Sequence, residues 1–239
     1  MRFPAFALGT AAAALLLLAV AGPLYRVGVP LAAAFTLFQW GAYAGLLSAL
    51  LAVAAAVLAF RRGARLQAAV AIAAIGVGLI AFGIPYQWQR RAQSAPPIHD
   101  ISTDLENPPE FGAIVPLRAN APNALERTPE VTDHQRRAHP DLSPVTLTVQ
   151  RDVAFERALA VAQASGWEIV LADKPIGRIE ATDTTPWFGF KDDIAIRVMP
   201  WGSGSRVDVR SVSRVGVGDA GTNARRVSDF VEALAGTDE

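Results

Sequence analysis

LFQWGAYAGLLSALLAVAAAVLAF, residues 37–60, contains no Asp, Glu, Lys or Arg. A helix needs about 20 apolar residues to cross a hydrocarbon core about 30 Å thick. A charge at its centre costs about 2.5–3.5 kcal/mol on insertion scales. Two more stretches have the same character: residues 4–24 are uncharged between Arg2 and Arg26, and residues 66–86 are uncharged up to Arg90. Buried soluble helices are the competing reading, but uncharged runs this long are hard to bury in a small soluble domain. The ends look interfacial. Tyr25 follows the first run, Phe38 and Trp40 open the second, and Tyr86 and Trp88 close the third, just before Arg90 and Arg91. Amphipathic rings and arginines settle at headgroup depth.

Arg61, Arg62 and Arg65 lie in the short connection between the second and third runs. The positive-inside bias makes this loop cytoplasmic and places everything after the third helix on the far side, the periplasm in a Gram-negative cell. Arg90 and Arg91 pull the other way. Ala19-Val20-Ala21 is an A-x-A site, so a cleaved signal peptide is the alternative for the first run, although Arg2 is a thin charged start. Cleavage leaves the tail on the same side. The expected location is therefore the inner membrane, multi-pass. Gly41 and Gly45 have GxxxG spacing, which suits close helix approach within the three-helix unit or, alternatively, a homo-oligomer contact. The runs carry no Asp, Glu, Lys, Arg or His, which argues against a proton-coupled transporter or ion pump.

Composition bounds the remaining functions. The 239 residues are 51% hydrophobic with zero formal net charge. Nothing in that balance favours nucleic acid. There is no cysteine, which excludes disulfides, thiolate catalysis and cysteine-ligated metals. His99, His134 and His139 lack the spacing of a helical metal pair, so no metal or cofactor is expected.

The chain divides into a helical region at 1–90, a proline-rich linker or arm at 91–144 and an α+β domain at 145–239. Prolines throughout the linker remove backbone donors, so it is expected to be extended, with IHDISTD at 98–104 adding a short strand or docking as an arm. In the domain, alternation and helical spacing give the order β-α-β-β-β-β-α. The inward set includes Val145, Leu147, Ile179, Ala181, Ile194, Ile196, Val198, Val207 and Val209. Asp152 is expected as a helix N-cap and Gly166 as a stop. Short connections predict an antiparallel sheet with both helices on its apolar face. The opposite face, with Arg178, Glu180, Thr182, Asp193, Arg197, Arg206, Asp208 and Arg210, is expected to be solvated and laced with cross-strand pairs, or alternatively to serve as a ligand or partner platform.

Three blocks together resemble the bacterial and plastid family called domain of unknown function 1499. They are IHDISTD with Pro108, Pro109 and Phe111; GRIEATDT and WFGFKDD at 177–184 and 187–193; and RVDVRSVSR with NARR at 206–214 and 223–226. The resemblance covers 98–235. It implies a domain often membrane-tethered or exported and brings no activity.

GVGDAG at 216–221 fits GxGxxG, but no second strand follows the helix, so a dinucleotide site lacks its βαβ unit. A flexible turn is the simpler reading; a weak anion site with Arg225 and Arg226 is the alternative. The aromatic loop Trp187, Phe188 and Phe190 beside Asp192 and Asp193 is expected either to cap the core or pack under the proline-rich arm, or to form the main binding candidate, with Arg210, Ser211, Arg214, Asn223 and Arg225 as polar contributors. Clustered aromatics in a loop need a surface to cover. The expected function is binding of an envelope protein or small anionic ligand. Alternatives are a hydrolase using Asp192 or Asp193 with His99, and a non-catalytic envelope assembly factor.

Overall fold

A computed structural model describes residues 3–238, so Arg2 lies outside the described residues. Three helices, α1 (Phe3–Arg26), α2 (Leu31–Arg61) and α3 (Arg65–Ser94), are long and apolar enough to cross a membrane. They are packed inside-out relative to a soluble bundle. Alanine, glycine and serine face inward: Ala7, Ala11 and Ala14 of α1 and Ala52 and Ser48 of α2 are fully buried. Large apolar side chains face outward, among them Leu16, Trp40, Leu47, Leu50 and Phe60. Lipid tails are as apolar as leucine, so small residues at helix contacts and bulky ones outside are what a bilayer favours. The chain is therefore a membrane-associated protein.

Inside this unit Ser48 donates to the Ala7 carbonyl at 2.6 Å, a buried bond between α2 and α1. Gly41 faces Leu18, and Gly45 faces Ala81 and Gly78. The GxxxG spacing thus serves contacts within the three-helix unit. A Cβ at Gly45 would lie 2.7 Å from the Ala81 Cβ and 2.9 Å from the Gly78 oxygen. Gly83 has nothing within 4 Å of its own virtual Cβ. Gly45→Ala is therefore expected to cost about 1–3 kcal/mol through overpacking. Gly83→Ala should be neutral or mildly stabilising, because it removes glycine from a helix interior. Thermal unfolding in detergent separates the two.

The chain splits into two compact units: Met1–Arg91 with Pro186–Gly189, and Ala92–Thr185 with Phe190–Glu239. The second is an α+β domain. Its strands are β1 (Asp100–Ser102), β2 (Val145–Leu147), β3 (Glu168–Asp173), β4 (Arg178–Thr184), β5 (Lys191–Trp201) and β6 (Gly204–Ser213). They form one antiparallel sheet in the order β1-β6-β5-β4-β3, with β2 also on β6. Helices α5 (Arg151–Ala164) and α6 (Thr222–Ala235) share the apolar face with Ile179, Ala181, Ile194, Ile196, Val198, Val207 and Val209. Trp167 stacks on Phe230 in this core at 5.5 Å between ring centroids. The turn before β4 needs glycine: Gly177 has φ +70°, and a Cβ there would sit 2.2 Å from the Val198 oxygen.

Three local expectations change. The arm is not uniformly extended: it holds β1, a 3-10 turn (Val115–Arg118) and helix α4 (Pro129–Ala138). Thr128 caps α4 by accepting from the Val131 N–H, and Pro129 follows it at the first helical turn, where its missing N–H costs nothing. The N-cap of α5 is Gln150; Asp152 lies in its first turn, where a carboxylate favours the helix dipole. The polar face of the sheet is not solvated: Glu180, Asp193 and Asp208 are 0% exposed.

Candidate functional site

Alternation along β4, β5 and β6 sends successive side chains to opposite faces. Glu180, Thr182, Asp193, Arg197, Asp208 and Arg210 therefore face away from α5 and α6. Residues 104–127 cover them. Glu180 accepts the N–H groups of Gly112, Ala113 and Ile114 at 2.8, 3.2 and 2.9 Å. Asp193 accepts from Arg118 at 2.5 Å, from Arg214 at 2.8 Å through two nitrogens, and from the Thr182 hydroxyl at 2.8 Å. Arg197 and Arg206 each bridge Asp208 to Asp104, at distances of 2.8–3.1 Å. At the edge of the sheet Asp100 joins Arg127 and Arg210, both at 2.8 Å. Gln135 fixes α4 to β1 through both backbone groups of Ser102.

Burying a carboxylate costs several kcal/mol unless charged partners and hydrogen bonds offset it. At Asp193 burial alone would raise the pKa. The bonds from Arg214, Thr182 and Arg118 outweigh it and hold the carboxyl below its usual range. Arg127 moves down, mainly through burial and despite the attraction of Asp100, with the nearby charge of Arg210 adding to the shift.

A second polar cluster occupies the helix face at the start of α6. Arg226 bonds Asp183 and Asp192, each at 2.7 Å. It also donates to Ser211 and Asn223. Asn223 accepts from Ser211 at 2.7 Å and donates to the Ser213 hydroxyl and the His99 carbonyl. The GVGDAG segment is the turn into this helix. Asp219 accepts from the Gly221 and Asn223 N–H groups at 2.9 and 2.5 Å. Burial raises its pKa, and these bonds only partly counter the rise.

The ten predicted residues fall in five places. Asp192, Ser211 and Asn223 share the helix-face cluster. Asp193, Arg210 and Arg214 lie on the opposite, covered face. Trp187 and Phe188 belong to the helical unit, where Trp187 meets Phe38 at 5.3 Å and Phe188 meets Phe35 at 5.4 Å between ring centroids. Phe190 is back in the domain, its N–H on the Thr185 hydroxyl. Arg225 is exposed; the guanidinium in the cluster is its neighbour Arg226. Asp192 and Asp193 thus point to opposite faces, each on arginine, while His99 Nδ1 lies 3.3 Å from the Val217 oxygen. These three groups do not converge.

Among the described residues no group of three or more His, Cys, Asp or Glu has the geometry of a metal site. One open depression of about 300 Å³ is lined by Asn107, Pro109, Glu110, Ile176, Arg178 and Arg197, among others. Sequence reasoning does not find Arg118, Arg127 and Gln135, because the prolines of 91–144 point to an extended linker or arm and their partners lie far away in sequence. The Thr128-Pro129 start signal and the alternating residues 98–104 are the local cues that it folds.

Comparison with protein families gives a match to the family described as protein of unknown function (DUF1499), over residues 100–234. The chain belongs to the DUF1499 family. The matched region starts at the first residue of β1 and ends inside α6. The DUF1499 unit therefore includes the arm and both polar clusters along with the sheet and helices. Comparison with curated proteins gives no match.

Proposed function

We propose that this DUF1499 protein is a multi-pass inner-membrane protein whose folded domain lies in the periplasm and binds a protein partner without catalysis. The observation that carries the binding reading is the closure of the sheet's polar face. The carboxylates of Glu180, Asp193 and Asp208 are all engaged, Glu180 by the arm, Asp193 by the arm's Arg118 with Arg214 and Thr182, and Asp208 by Arg197 and Arg206, so recognition falls to the outer surface. The topology rests on the short loop with Arg61, Arg62 and Arg65, which favours the cytoplasmic side.

The chain has no cysteine, so single-cysteine variants are clean probes. Glu168→Cys, on an exposed site of β3, should react with a membrane-impermeant maleimide while the inner membrane is intact. Reaction only after lysis would overturn the periplasmic placement. Native mass spectrometry of the full chain released from membranes should show a stoichiometric protein partner. A stoichiometric small molecule, or the chain alone, would overturn the partner reading.

A further inference from the structure

Three apolar side chains stand in water at one end of the domain. Val217 is 79% exposed, Leu117 54% and Val115 48%. In the 3-10 turn Ile114 and Arg118 point inward, so Val115 and Leu117 are left outside. Two bonds bring the turn and the Val217 loop together: Arg214 donates to the Leu117 carbonyl at 3.0 Å, and Asn123 donates to the Gly216 carbonyl at 2.9 Å. Exposed cations share this end. The Lys191 carbonyl accepts from the Arg214 N–H, and Arg225 lies in the first turn of α6.

The loop is also fixed to the domain's entry. A Cβ at Gly218 would lie 3.4 Å from the Pro97 Cα and 3.5 Å from the Pro96 oxygen. Pro96 is two residues past the end of α3 at Ser94. Two residues span at most about 7 Å. The 30 residues of α3, with Pro85 inside it, have a contour of about 45 Å. A bilayer including its headgroups is about 40–45 Å thick. A helix of that length leaves the lipid at the headgroup surface. Chain connectivity therefore keeps the Val217 loop on a short tether from the end of α3.

We propose that Val217, Leu117 and Val115 dip into the headgroup layer of the membrane that anchors the chain, with Lys191 and Arg225 meeting anionic headgroups. Exposed apolar tips flanked by cations are what an interface of this kind binds. The proposal rests on the membrane anchoring and is independent of the protein partner.

The test uses the full chain in bilayers of phosphatidylcholine with phosphatidylglycerol. Val217→Cys, Leu117→Cys and the control Val153→Cys each carry an environment-sensitive fluorophore. Val153 is 47% exposed at the other end of the strands, two residues from Arg151, which bonds the Pro175 carbonyl. Lipids with a shallow acyl-chain nitroxide should quench positions 217 and 117 several-fold more than 153, and aqueous iodide should show the reverse order. Equal quenching at all three positions would overturn the proposal. In the Val217→Cys background, Lys191→Glu with Arg225→Glu should weaken lipid quenching in bilayers with phosphatidylglycerol and leave it unchanged in pure phosphatidylcholine. No weakening would overturn the role assigned to the two cations.

Discussion

Asp193→Ala is expected to remove about 3–5 kcal/mol from the stability of the domain, because it leaves the buried Arg118 and the half-buried Arg214 without their shared carboxylate. Small domains hold only about 5–15 kcal/mol in total. The variant should therefore be cleaved far faster than wild type in pulse proteolysis of the full chain in detergent. A threefold replacement, Asp193→Leu with Arg118→Met and Arg214→Met, should recover part of the loss, since apolar side chains of similar volume often replace a buried ion cluster without penalty. If the single variant matched wild type, the covered face would not be held by this cluster. Acid should reproduce the effect. The pKa of Asp193 is depressed in the folded state, so its contribution is complete above the unfolded value near 3.9. It is lost as pH falls through the lower folded value. Wild type should weaken below about pH 4, with a steeper acid limb than Asp193→Ala.

Phe230→Ala should cost a similar amount by a different route. Phe230 is 1% exposed and stacks on Trp167 between α6 and the sheet. Truncating a buried phenylalanine costs about 3–5 kcal/mol through lost transfer energy and the remaining cavity. The stacked pair contributes about 0.5–1.5 kcal/mol beyond burial. Loss of the near-ultraviolet circular dichroism of Trp167 should accompany the drop in thermal stability. Phe230→Leu keeps most of the volume and should retain much of what the alanine variant loses. Equal stability of the alanine variant and wild type would mean that α6 does not close the core.

Much of this architecture was legible in the residues. The membrane helices announce themselves because no Asp, Glu, Lys or Arg interrupts 4–24, 37–60 or 66–86. The inward residues of β4, β5 and β6 follow from period-two alternation, and the structure buries Ile179, Ile194, Ile196, Val207 and Val209. The fate of the other face was not legible. Arg197, Arg206, Asp208 and Arg210 alternate in the same way whether water or another segment lies above them. What decides it is a set of partners far away in sequence, such as Glu180 with Gly112 and Asp193 with Arg118. The candidate site was legible only in part. Asp192 and Asn223 do meet, but through Arg226, and the neighbouring Asp193 is turned away by the pleat of β5.

The arm that covers the sheet also dictates when the domain can finish folding. Residues 100–127 leave the ribosome early, yet Asp100 waits for Arg210, 110 positions later, and Arg118 waits for Asp193. Until β4, β5 and β6 have emerged, the arm is a solvated, arginine-bearing segment without its full set of partners. Contacts this distant in sequence make folding slow. Any product cut short before Ser213 lacks part of this clasp and should stay open to proteases.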